Sequence, residues 1–190
     1  MLVSMVWESG ADPAPTLPAP GAAPPTGAPV RYPDLAGATA VDYATLEGIP
    51  RMLELYRRAG ITVTAFICGQ SATLHPALAR EIAQRGHECA GHGQTHSQEY
   101  QLSRDDERAF IAANVDSLVR TTGKKPIGYN APGQNRSPNT ISLLQELGFT
   151  YSIDDYSRDE PYIVQANGHP FAVVPYTQTL NDFRWYNLPG

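Results

Sequence analysis

No stretch of eighteen apolar residues occurs in this 190-residue chain, so hydropathy gives no membrane-spanning helix. Nor is any run of Lys or Arg long enough to form a footprint for nucleic acid or an anionic membrane. The 14 basic residues are interleaved with 19 acidic ones, for a formal charge of −5. A neutral or small polar substrate suits such a surface better. The opening residues, Met1-Leu2-Val3-Ser4-Met5-Val6-Trp7, lack the basic and long apolar segments of a secretory signal, which makes the cytoplasm the expected location. Cysteine is scarce. Cys68 and Cys89 are too few for a disulfide framework and read as reduced packing residues. The length favours one domain spanning residues 1–190.

Proline is abundant but unevenly placed. Residues 11–36 carry eight prolines by Pro33, among Ala, Gly and Thr, too many missing amide donors for a helix or central strand. This segment is expected to be a long loop, either an unstructured insertion or a lining for the mouth of a site. Ahead of it, residues 2–7 read as a short buried strand ending near Trp7 and Glu8.

After the loop, strand and helix signals alternate. Ile49, Met52, Leu53 and Tyr56 share a helical face, with Pro50 in the first turn and Gly60 as the stop. A buried strand is expected over residues 61–68, a helix from Pro76 to Gly86, and a strand leading into His92. Ser103 and Asp106 make a capping-box-like start to a helix that stops at Gly123. Ser137-Pro138 opens another, ended by Gly148, and residues 149–153 read as strand. Six strands, near residues 2, 61, 87, 126, 149 and 171, predict a parallel α/β sheet with helical crossovers, open or closed into a barrel.

The sharpest chemical signal is His92-Gly93-Gln94-Thr95-His96. Two imidazoles four apart meet one cation if the backbone between them makes a helical turn, and neutral imidazole nitrogen is a favoured ligand for zinc and related metals. Gly93 leaves room for a tight turn or close approach. The pair falls at the C-terminal end of a predicted strand, where α/β folds assemble their sites.

The run Gly86-His87-Glu88-Cys89-Ala90-Gly91-His92-Gly93-Gln94-Thr95-His96-Ser97 resembles the metal-binding histidine motif of the polysaccharide deacetylase superfamily. Gly48 to Leu53, Thr64 to Phe66 and Thr122 to Tyr129 resemble segments of its peptidoglycan-deacetylase and allantoinase-like branches, and the similarity spans roughly residues 42–184. Arg136 to Thr140, Asp155 to Tyr162 and Pro175 to Arg184 look most like the allantoinase-like branch, which opens small amide rings; that branch does not keep the second histidine, whereas His96 is present here. The resemblance implies an α/β fold, a distorted (β/α) barrel of the polysaccharide deacetylase type. It also implies hydrolysis of carbon–nitrogen bonds other than peptide bonds, assisted by a divalent metal, zinc first.

By that resemblance a third ligand and a base come from the end of the first strand, where Glu8 and Asp12 stand in place of the paired aspartates of the sugar deacetylases. Glu8 is expected as ligand or base, with Asp12 in reserve. Asp154 and Asp155 are expected either to orient a ligand or base or to cap a loop, and Asp155 is a candidate proton acceptor. The usual motif arginine is replaced around Asn130, and Asn130 or Gln134 would bind a carbonyl while Arg136 supplies positive charge. Tyr176, Asn181 and Asp182 are substrate-side candidates by resemblance. The family's late histidine acid has no counterpart, which leaves His169 first in line and makes the barrel an expected incomplete one, prone to homo-oligomer formation through exposed strand edges. The expected partner is a small-molecule or sugar amide, with no nucleic acid and no membrane. The alternatives are a cyclic amide or ureide hydrolase, and an impaired fragment that binds metal or ligand without turnover.

Overall fold

The structure, a computed structural model, describes residues 3–12, 39 and 42–182. Most of the proline-rich loop, residues 13–36, and the end of the resemblance at Phe183 and Arg184 lie outside the described residues.

The first strand, β1 (Ser4–Trp7), is followed by a π-helical turn at Ala44–Gly48 and by α1 (Ile49–Ala59), which ends on Gly60 at φ 66° as its spacing predicts. Then come β2 (Thr64–Ile67), α2 (Gly69–Leu74), α3 (Pro76–Gln84), β3 (Glu88–Gly91) and α4 (Arg104–Thr122). β4 (Gly128–Tyr129), α5 (Thr140–Glu146), β5 (Tyr151–Ser152), β6 (Tyr162–Ala166) and β7 (His169–Val173) complete the described order. Ser103 caps α4 by accepting from the Asp106 amide at 3.2 Å, and Gly123 closes it at φ 74°.

The seven strands form one sheet in the order β1-β2-β3-β4-β5-β7-β6, parallel throughout except for the antiparallel β6–β7 pair. Among the described residues, no helix is long and apolar enough to cross a membrane. Alternation along the strands separates two faces. Met5, Trp7, Ala65, Ile67 and Cys89 pack beneath Leu53 and Tyr56 of α1, Ile82 of α3 and Leu118 of α4, each large apolar side chain contributing about 1.5–3 kcal/mol by burial. Phe66, Ala90 and Ile153 gather on the opposite face. Both cysteines are free and buried.

Three expectations change. β1 is covered on one face only: Ser4 and Val6 are exposed because β1 stands at the end of the strand order. α2 carries no capping signal; its first amides, Gly69 and Gln70, instead donate to the carbonyls of Gly93 and Gln94 at 3.0 and 2.9 Å, so a tertiary contact fixes it. The 162–173 region is a hairpin rather than one strand, turned by Asn167 and Gly168 at φ 51° and 78°, the pairing that a two-residue turn of opposite hand requires.

Candidate metal centre

The strand order brings the loops after β1 and β3 together over the C-terminal end of β2. Backbone bonds lock them: the His96 amide donates to Ala11 O at 2.8 Å, and the Ala11 amide to Glu8 O at 2.8 Å. Behind them, the buried Asn114 side chain donates to Ile67 O and Gly93 O at 3.0 and 2.7 Å. Gly93 has φ 68°, and a Cβ there would meet Phe110 at 2.6 Å and Pro132 at 2.7 Å, so only glycine fits without displacement. The two histidines meet without the expected helical turn. Residues 94–97 form bends instead, and the rings stand 5.9 Å apart and nearly parallel.

Glu8 Oε1 lies 3.0 Å from His92 Nε2 and 3.3 Å from His96 Nε2. Donor atoms of these three side chains all fall within 4.8 Å of one another. His92 is only 2% exposed, and its Nδ1 sits 2.7 Å from Asn130 O. A carbonyl can only accept, so Nδ1 carries a proton, and Nε2 is the ring nitrogen that faces Glu8. On the outer side of His96, Asp12 Oδ1 is 3.1 Å from Nδ1 and fixes that ring in the same sense. Two imidazole nitrogens and a carboxylate oxygen facing one point match the nitrogen and oxygen donor set of a divalent cation such as zinc. Burial acts to raise the Glu8 pKa, but its hydrogen bond to His92 and the charges of His92 and His96 outweigh burial and hold it below the ordinary value.

Asp154, directly after β5, supports His92 from behind. Its carboxylate accepts from the Ala131 amide at 2.9 and 3.0 Å, from Asn130 Nδ2 at 2.5 Å and from Ser152 Oγ at 2.9 Å. Burial pushes its pKa up to about 6 against those bonds and the field of His92. Asn130 thus binds His92 through its carbonyl and Asp154 through its amide, which occupies the side chain foreseen for a substrate carbonyl.

The remaining candidates form a separate part of the rim. Asp155 Oδ1 accepts from the Ser157 amide and hydroxyl at 2.8 and 2.6 Å, which is the loop-capping alternative, while Arg136 Nη2 stands 3.8 Å from its other oxygen. Arg136 Nε also donates to Asp154 O at 3.1 Å. Gln134 accepts from the Tyr156 hydroxyl, and the Tyr156 ring meets Tyr176 edge-on at 6.5 Å. Asn181 and Gln134 both approach the Tyr176 phenol, and Asp182, exposed at the end of the described chain, acts on it through its charge. His169 opens β7, which runs parallel to β5, so it lies at the opposite end of the sheet from Glu8 and His92 and is not the proton donor. Asp154 is the residue that sequence reasoning underweighted; its signal was the period-two match with Ser152 on the face that turns inward.

A family profile for polysaccharide deacetylases matches residues 37–152. A peptidoglycan deacetylase-like protein of Gibberella zeae is 31% identical over 74% of this chain and 42% of its own length. The structure of a probable polysaccharide deacetylase from Pseudomonas aeruginosa PAO1 superposes with a TM-score of 0.81 at 27% identity, covering 98% of this chain and 65% of that one. A PuuE allantoinase structure gives 0.75 at 30% identity, over 83% and 52%. The chain spans less than two thirds of each of these proteins. Profile, relative and fold agree with the sheet order and the paired histidines described above: the chain belongs to the polysaccharide deacetylase family.

Proposed function

We propose that this chain is a metal-dependent amide hydrolase that cleaves carbon–nitrogen bonds other than peptide bonds, with an N-acetylated sugar as the substrate class. The observation that carries this reading is the convergence of Glu8, His92 and His96 on one point. These three residues would hold the cation, zinc by their donor types. A bound cation supplies Lewis acidity toward the amide carbonyl and lowers the pKa of water.

The chain's own groups do the rest. Asn130 O keeps His92 in the Nδ1–H tautomer, and Asp12 does the same for His96. Asp12, exposed at the rim beside His96, would be the carboxylate that accepts a proton from attacking water. The ring edges of Tyr156 and Tyr176, with Gln134 and Asn181, offer an amphipathic wall for the substrate.

Elemental analysis of purified protein, paired with substrate assays, tests the reading. Divalent metal and acetate release from chito-oligosaccharides are expected, and both His92→Ala and His96→Ala should lose metal and turnover. Wild-type metal content in both variants would sink the assignment. The likeness to the allantoinase structure supports a second reading, opening of a cyclic amide or ureide. Turnover of cyclic ureides with no acetate release would select it.

A further inference from the structure

Glu99, three residues beyond His96, is fully buried at 0% exposure, and its loop opens with a short 3-10 turn at Glu99–Gln101. Its side chain runs inward to the end of β4, where Tyr129 Oη lies 2.5 Å from Oε2. The other oxygen, Oε1, has no hydrogen-bond partner among the described residues. The Tyr129 ring passes over Gly91, where a Cβ would sit 2.8 Å from the ring, and the next residue, Asn130, receives the His92 proton. The Glu99–Tyr129 bond therefore joins the far end of the histidine loop to the strand end that orients His92.

We propose that Glu99 is a positioning residue of this site: in its neutral form, bonded to Tyr129, it clamps the loop carrying His92 and His96 onto the end of β4. The clamp stands on this geometry, and only its effect on metal affinity rests on the metal-site reading above. The groups that face Glu99 are Tyr129 at the end of β4, Asp154 beyond β5, Glu107 on α4 and Cys68 beyond β2. None of these, among the described residues, is a cation. Burial first, then the fields of Asp154 and Glu107, raise the Glu99 pKa to about 8, and the Tyr129 bond offsets this only in part. An ionised Glu99 would place an uncompensated charge beneath the histidine loop.

The sign follows from linkage. The folded chain holds the Glu99 proton above the pH at which the unfolded chain releases it, so this contribution is complete in acid and is lost as pH rises to about 8. Asp154 acts in the same direction but only up to about pH 6. Between about pH 6 and about 8, Glu99 and not Asp154 contributes, and groups shared by wild type and a Glu99 variant cancel in the difference between them.

Denaturant unfolding of the metal-free full chain across that interval, for wild type and Glu99→Gln, reads the proton. The unfolding constant of wild type should rise relative to the variant by up to about tenfold per pH unit; parallel curves would overturn the neutral carboxyl. Hydrogen exchange at the His96 amide reads the clamp without metal. Protection should fall in Glu99→Ala and Tyr129→Phe and return in Glu99→Gln, and unchanged protection in Tyr129→Phe would overturn it even if Glu99→Ala does not fold. Zinc alone, titrated by chelator competition, should bind about 10-fold more weakly to Tyr129→Phe and near wild type to Glu99→Gln. If zinc binds none of these proteins, the metal-site reading fails, while the unfolding and exchange results still decide the clamp.

Discussion

Glu8 and Glu99 carry the same carboxyl group in two layers of one site, and their surroundings drive them in opposite directions. At the rim, Glu8 faces two imidazoles, and its pKa falls in spite of burial. Beneath the histidine loop, Glu99 and Asp154 face hydrogen-bond donors and other acids, and burial pushes their pKa values up to about 8 and about 6. The difference shows how labour is divided. The upper layer turns its donor atoms toward one point, and the lower layer directs its hydrogen bonds to the backbone and side chains that hold the upper one still.

The comparison breaks most completely if an upper-layer ligand is removed. His92→Ala deletes one of three converging donors, and metal content together with turnover should vanish. The next effect in size tests the lower layer. Asp154→Asn turns an amide donor toward at least one of the three donors that Asp154 now accepts, and leaving one buried group unpaired costs about 1–3 kcal/mol. Because Asn130 then loses its anchor, metal affinity should drop about 10- to 100-fold. Denaturation midpoints and chelator titration check both parts. A variant of unchanged stability and affinity would show that the lower layer is passive.

Gly93→Ala sharpens the same contrast from the backbone. At φ 68°, with Phe110 and Pro132 in the way, the new methyl group is expected to cost about 1–3 kcal/mol. Its thermal midpoint should fall while the ligand types stay intact, and metal affinity should fall with it as the loop shifts.

Much of the upper layer was legible in the sequence because its residues lie close together at strand ends: His92 and His96 four apart, Glu8 directly after β1. The helices with explicit stops, such as α4 between Ser103 and Gly123, were legible for the same local reason. α2 was not, since the carbonyls of Gly93 and Gln94 that hold its first turn come from another loop. The β6–β7 hairpin was missed although Asn167-Gly168 is a local turn signal, because burial alternates along β6 while the residue types do not: Ile163 is apolar yet exposed between Tyr162 and Val164, and Pro170 sits within β7. Glu99 had no local signal at all. It is one acid in a polar loop, and only the fold brings Tyr129 to it across thirty positions.

The smallest effect is expected at Asp155, and its smallness is what makes it informative. Asp154 and Asp155 are neighbours with equal claims in the sequence, yet the strand turns one carboxylate inward to Ala131 and Asn130 and the other outward to Ser157. Asp155→Asn keeps an oxygen where Oδ1 now accepts from the Ser157 amide and hydroxyl, so the loop cap survives. The variant loses the negative charge that Tyr162 and Arg136 face, and Arg136 approaches it no closer than 3.8 Å with its own guanidinium exposed. Ion pairs of that kind contribute about 0–1 kcal/mol. Metal content should equal that of wild type, and turnover should stay within about twofold, since no transition-state interaction is removed. A loss of turnover as large as that in Asp154→Asn, at unchanged metal content, would instead make Asp155 the proton acceptor and return Asp12 to the role of holding His96.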